Sequence, residues 1–389
     1  MTRRIRTRFG VAATAVTAAA AMAMLGAAPA SAVITPTRAP TTLGGAMGLP
    51  SSGSGDFLTI PTPGQQGEEP HGTADKAPGF PRGGSAGFTI LTTGDVTFAD
   101  DPNTSESTGL DLFGPNVRGD SDYDVSVLRL KVPVTSADNC LSFEFRFLSE
   151  EFPEFVNAGF NDAFIAELRN SNWSTDNGTI TAPNNFAFDA ANNPITIDAV
   201  GETAVAPYRA VATTYDSATR IARASAPLTG VDQAAGSVDL FLSIFDQGDG
   251  IYDSAAFLDN LVVDSRANCT PGAQVLDATD PDTAAETPKI KSAPSSLRSA
   301  DASKKKKKKK AKVTIPFSSN EPGSTFYCRV GPVATIQEVP YQECVSPFKA
   351  KLKKGTYQFD VVAIDGAGNP DPEPVSLTFK AKPKKKKKK

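Results

Sequence analysis

The sequence predicts an all-β protein, a large antiparallel β-sandwich of jelly-roll-like build followed by a second, smaller β unit. Three observations carry this. Apolar residues recur at every second position, first as Leu128, Leu130, Val132 and Val134, then as Leu141, Phe143, Phe145 and Phe147. A third set is Val238, Leu240, Leu242 and Ile244, and a fourth lies within residues 255–263. Period-two alternation sends successive side chains to opposite faces, so each set addresses a core. Second, no stretch of this region keeps a helical period. Third, the chain of 389 residues holds 31 glycines and 30 prolines, which favours short strands joined by turns.

The N-terminal residues 1–32 read as a secretory signal. Arg3, Arg4, Arg6 and Arg8 supply the positive end, and an alanine-rich run from Val11 to Ala28 follows. Ala30-Ser31-Ala32 then offers the small-x-small processing pattern. Arg3-Arg4 leaves twin-arginine export open beside the general route. No other stretch reaches the roughly 18 apolar residues of a membrane helix, so the expected location is secreted, either extracellular or associated with the cell wall.

Composition divides the remainder. Residues 33–86 are a Gly/Pro-rich leader, interrupted by one strand-like island at Asp56-Phe57-Leu58-Thr59-Ile60 that suits the first edge of the next domain. Residues 87–269 form the large sandwich, and 270–312 read as a linker ending in lysines. Residues 313–380 form the small unit, in which Tyr357, Phe359, Val361 and Ala363 alternate with Gln358, Asp360, Val362 and Ile364. A lysine-rich tail occupies 381–389.

Charge follows the same division. Residues 88–269 hold 27 Asp/Glu against 9 Lys/Arg, whereas 304–389 hold 21 Lys/Arg against 7 Asp/Glu. Two homopolymer runs, Lys304–Lys310 and Lys384–Lys389, cause most of the positive excess. Adjacent ammonium groups repel and bury nothing, so the runs are expected to be solvated, as a linker and tail. They also suit an anionic cell-envelope polymer or extracellular polysaccharide as partner; nucleic acid would bind them only without sequence preference.

Four cysteines, Cys140, Cys269, Cys328 and Cys344, suit an oxidising compartment. None lies in a Cys-x-x-Cys pair. Three pairings are formally open; sequence locality favours Cys328 with Cys344, leaving Cys140 with Cys269. The single histidine, His71, lies in a Pro- and Gly-rich stretch. It leaves no histidine set for a metal, and a serine triad would depend on it alone.

The most distinctive segment is Ser149-Glu150-Glu151-Phe152-Pro153-Glu154-Phe155, followed by Gly159-Phe160-Asn161-Asp162-Ala163-Phe164. With 87–95 upstream and 245–260 downstream, it resembles the choice-of-anchor L domain of secreted bacterial proteins. The resemblance implies an exported, β-rich surface protein and little about chemistry. Likewise, Phe317 to Cys328, Cys344 to Phe348 and Ala363 to Asn369 are similar to bacterial immunoglobulin-like repeats, which implies a spacer.

Hard oxygen ligands on loops are what calcium prefers, six to eight of them. Glu150, Glu151, Asn161 and Asp162 follow one strand, and Asp246, Asp249 and Asp253 crowd the loop between two others. These seven residues are the candidate metal ligands, with calcium as cofactor, although the spacing is not that of an EF-hand. The alternative is that they are solubilising turn and capping residues. Trp173 and Tyr252 are candidate ligand-binding aromatics, with buried packing the competing fate. Paired carboxylates also suit glycoside hydrolysis, but no nucleophile or positioned acid–base pair emerges. The expected role is therefore a non-catalytic adhesion or binding protein at the cell surface. A carbohydrate-binding module or lectin, and a polysaccharide-degrading enzyme, are the alternatives.

Overall fold

The computed structural model describes residues 32–61, 68–83, 87–104, 116–279, 281, 283–285, 289–292 and 310–382. The signal segment up to Ser31, the run Lys304–Lys309 and the C-terminal lysine run lie outside the described residues. The fold is all-β, with strand in 45% of the chain and helix in 8%.

Two antiparallel sheets form the first unit. One has the order β1 (Ile34–Pro36), β3 (His71–Ala74), β4 (Phe88–Thr92), β14 (Ser254–Asp264), β6 (Cys140–Ser149), β12 (Ala222–Pro227) and β15 (Gly272–Val275). The short β11 (Ser217–Ala218) pairs with the end of β6. The facing sheet runs β10 (Ile195–Thr196), β7 (Ala163–Leu168), β13 (Ser237–Gln247), β5 (Asp122–Pro133) and β2 (Ser54–Thr59). A hairpin of β8 (Ser174–Asp176) and β9 (Thr179–Thr181) lies apart from both sheets.

The alternating sets meet between these sheets. Leu128, Leu130 and Val132 of β5 and Leu240, Leu242 and Ile244 of β13 pack with Phe143, Phe145 and Phe147 of β6, all buried. Full burial of each such side chain contributes about 1.5–3 kcal/mol. Cys140, at the start of β6, is bonded to Cys269.

The leader is integral to this unit. It supplies β1, β2 and β3 and a short helix, α1 (Pro40–Ala46), whose Leu43 joins Met47 in the core. A second short helix, α2 (Gly230–Ala235), opens with a capping box formed by Thr229 and Asp232. Its Asp232 bonds Arg169, and those donors hold its carboxyl at about 2 against the opposing effect of burial.

In the second unit, β17 (Lys289–Ser292), β18 (Ala311–Ile315) and β22 (Phe348–Leu352) form one sheet. The other is β21 (Gln342–Cys344), β20 (Thr325–Pro332), β23 (Gly355–Ile364) and β24 (Val375–Ala381). A two-stranded ribbon of β16 (Thr283–Ala285) and β19 (Phe317–Ser319) flanks them. Val313, Leu352, Phe359, Val361 and Phe379 fill the space between the sheets. Cys328 and Cys344 bond neighbouring strands of one sheet. The stretch read as a linker thus contains β15, β16, β17 and the start of β18. Its lysine run falls within the connection between two paired strands, because Ser292 lies opposite Ala311.

The two units touch. The turn Asp365–Asn369 packs on the outer face of β6, where Arg146 donates to the carbonyls of Pro78 and Gly368. Arg82 donates to the Gly366 carbonyl. Gly368 has φ +89°, and a Cβ there would stand 2.3 Å from Cδ1 of Ile221. Close approach thus requires glycine at this position. Burial, with the Arg209 charge beside it, lowers the Arg146 pKa to about 9.

Candidate functional site

Strand register brings the acidic segments to one end of the first sandwich. Ser149 of β6 lies opposite Ser254 of β14, Gln247 of β13 opposite Asp122 of β5, and Phe245 opposite Ala163 of β7. The residues just past these strand ends are therefore neighbours. Glu150, Glu151, Asp162, Asp246 and Asp253 are all no more than 2% exposed.

Backbone and hydroxyl donors satisfy part of this cluster. Ser254 Oγ donates to Asp162 Oδ2 at 2.6 Å, and Gln247 N to Asp162 Oδ1 at 3.0 Å. Asp162 N donates to Glu151 Oε2 at 3.4 Å, and Asp253 N to Glu150 Oε2 at 3.3 Å. Asp246 differs. Neither of its carboxylate oxygens makes a well-formed hydrogen bond, although Thr93 and Asp162 are close enough to influence its titration.

Burial raises the carboxyl pKa of Asp246 well above the ordinary value, and Asp162, Asp253 and Asp124 push it the same way. Glu151 and Asp162 are also raised, by burial first. An ionised carboxylate held out of water needs a proton, hydrogen-bond donors or a cation. Such a cluster can accept protons at neutral pH or a hard cation. Among the described residues, no set of three or more His, Cys, Asp or Glu side chains already stands as a metal chelate.

The other expected ligands are peripheral. Asn161 is half-buried, and its Oδ1 accepts from Asp198 N at 3.2 Å. Asp249 is half-exposed, accepts from Ile251 N at 3.2 Å and acts on Glu151 by charge. Asp249 thus caps its own turn, whereas Asn161 ties the start of β7 to the distant Asp198 backbone. The structure adds Asp124 and Thr93, which the sequence reading passed over, whereas the Asp122 carboxylate turns away to accept from Val117 N, Arg118 N and Thr175 Oγ1. An Asp-Tyr-Asp triplet directly ahead of an alternating strand was the available signal.

Trp173 requires a correction as a ligand-binding residue. It is 1% exposed and stacks on Phe245 at 4.2 Å, while its Nε1 donates to Ser243 Oγ at 2.9 Å. The outer face of the second sheet needs an apolar cover, and Trp173 provides it. Tyr252 is half-buried at the mouth of the acidic cluster, its ring 5.0 Å from that of Phe155.

His71 begins β3 rather than lying in a loop, and it is sealed from solvent. Its Nε2 shares a 2.6 Å hydrogen bond with Ser126 Oγ, while Nδ1 has no partner. A triad needs an acid on that second nitrogen.

No curated protein matches the chain. A β-1,2-glucanase from Parabacteroides distasonis aligns with 86% of this chain at 10% identity and a TM-score of 0.22, and the chain spans 37% of that structure. The tripod from the baseplate of bacteriophage Tuc2009 aligns with 76% of this chain and 98% of its own, at 10% identity and a TM-score of 0.16. Residues 84–262, which include most strands of the first sandwich and the whole acidic cluster, match the Choice-of-anchor L domain.

Proposed function

We propose that this is a surface-associated, non-catalytic binding protein whose acidic cluster takes a calcium ion. The Choice-of-anchor L match supports the surface setting, as do the two disulfides. The second unit, which we read as immunoglobulin-like, serves as a spacer, although its disulfide lies within one sheet rather than between two. The lysine-rich end addresses an anionic envelope polymer.

One observation carries the calcium reading. Asp246 is buried with both oxygens lacking well-formed hydrogen bonds, and the strongest charges around it belong to other carboxylates. A hard cation would neutralise those charges and accept those oxygens. Asp162 and Asp253, on the neighbouring strand ends, would join it as ligands once their side chains turn from their present partners, with water supplying the remaining oxygens.

Thermal unfolding with about 1 mM calcium, the affinity range of extracellular modules, is expected to shift upward by several degrees relative to chelator. Occupancy at tenfold the dissociation constant stabilises by about 1.4 kcal/mol. Asp246→Asn should abolish the shift. An unchanged parent transition would remove calcium from the proposal.

A further inference from the structure

We infer that the second unit presents a lysine surface built by its fold, and that this surface docks a flexible, linear polyphosphodiester of the cell envelope. The inference deepens the partner reading above and shares with it only the surface setting; it is independent of calcium.

The strand ends place these lysines together. Ala311 lies opposite Leu352, and Gly355 opposite Ala381. Lys310, the Lys353–Lys354 turn and Lys382 therefore share one end of the unit. From that same end the sequence continues into both homopolymer runs, which are far apart along the chain. Up the sheet from it, Lys312, Lys349 and Lys351 are exposed, while the alternate positions Val313, Ala350 and Leu352 are buried.

Solubility alone does not account for this face. Lys312 lies directly opposite Lys351, and like charges across a strand pair are destabilising. Lysines commonly guard sheet edges, which suits Lys349 and Lys351 on the edge strand β22, yet β18, which carries Lys312, is the central strand of the sheet. A polyanion laid across the face would convert that repulsion into attraction.

The carboxylates among the described residues of this unit lie elsewhere. Asp365, Asp371 and Glu373 follow β23 at its far end, which docks on the first sandwich, and Glu321 precedes β20 at that same end. Asp360 is buried against Arg329 at 2.8 Å. Glu338 and Glu343 belong to the β20–β21 edge of the other sheet. The ten residues of β23, at about 3.3 Å each, separate the lysine end from the docked turn by roughly 30 Å.

The chemistry favours phosphodiester. Among the described residues every cation of this face is a lysine, a compact point charge of the kind that commonly binds phosphate, without the planar arginine fork that grips carboxylate or phosphate through two bonds. Among the described residues of β18 and β22, Thr314 and not an aromatic residue lies opposite Lys349 beside these lysines, so a base has nothing there to stack on, as single-stranded nucleic acid prefers.

The test uses the full chain with long-chain inorganic polyphosphate as probe, in chelator so that the acidic cluster takes no part. In the variant Lys312→Gln/Lys349→Gln/Lys351→Gln both homopolymer runs remain. Its affinity should fall about tenfold or more, and the salt dependence of log K should flatten by about 2, at roughly 0.7 per cation engaged. The corresponding triple arginine variant, which keeps the charge, should bind like the parent. Unchanged binding by the glutamine variant overturns the proposal, since the runs alone would then hold the polymer. Equal binding of polygalacturonate or duplex DNA by the parent overturns the choice of a flexible polyphosphodiester.

Discussion

His71→Gln isolates the effect of one buried imidazole on acid stability. The ring is fully buried between the sheets, 4.6 Å from Phe57 and bonded to Ser126. Burial, reinforced by the Arg38 charge, lowers its pKa to about 3, against 6.5 in the unfolded chain. The native state therefore keeps His71 neutral while the unfolded state takes up a proton below about pH 6.5. A depressed native pKa gives stability that is complete above the unfolded value and is lost as pH falls toward the native one. The loss is about 1.4 kcal/mol per pH unit, or roughly 3 kcal/mol between pH 6.5 and 4. Glutamine keeps a polar tip near Ser126 but gives up ring packing, costing about 1–2 kcal/mol at neutral pH.

The variant should thus be the less stable protein near neutrality and the more stable one near pH 4. Urea unfolding followed by Trp173 fluorescence reports the first sandwich alone, since Trp173 is the single tryptophan. Carboxylate titrations are common to both proteins and cancel in the difference. A stability gap that stays constant across the range would refute a neutral buried His71.

Other outcomes follow from the same structure. The raised carboxyls of Glu151, Asp162 and Asp246 give stability that is complete below the unfolded carboxylate pKa and is lost as pH rises toward their native values. In chelator, the melting temperature of the first sandwich should therefore fall from about pH 5 to 8 through these groups, and calcium should flatten that fall; equal slopes with and without calcium would contradict it. Gly368→Ala should cost about 1–3 kcal/mol through its left-handed backbone and the clash with Ile221, and separate the units; an unchanged radius of gyration by small-angle scattering would show the docking to be independent of this turn. Removing Cys140–Cys269, which spans 129 residues, should cost about 5 kcal/mol on the loop-entropy relation. Removing Cys328–Cys344, which spans 16, should cost about 3 kcal/mol, and denaturant unfolding giving the reverse order would show that native contacts dominate over loop closure.

The sequence by itself determined the long core strands and favoured the disulfide pairing that the structure shows. The alternation in β5, β6, β13 and β23 is a local property of the chain, because a period of two commits each side chain to a face wherever the strand lies. It also located most of the acidic cluster, since Glu150, Glu151, Asp162, Asp246 and Asp253 all flank readable strand ends. What lies on the far side of a strand is not local. Ser142, Glu144 and Arg146 alternate with the phenylalanines of β6 as a solvent face would, yet all three are buried. Arg82, Arg223 and Asn260 bond Glu144, and the turn after β23 covers Arg146.

The same limit left Trp173 open between ligand binding and buried packing, and hid the contribution of Asp124. It also concealed the leader's place in the core and the gathering of distant lysines at one end of the second unit. Each depends on pairing between segments far apart along the chain. Register and sheet order decide such neighbours, and periodicity within a single strand carries no information about either.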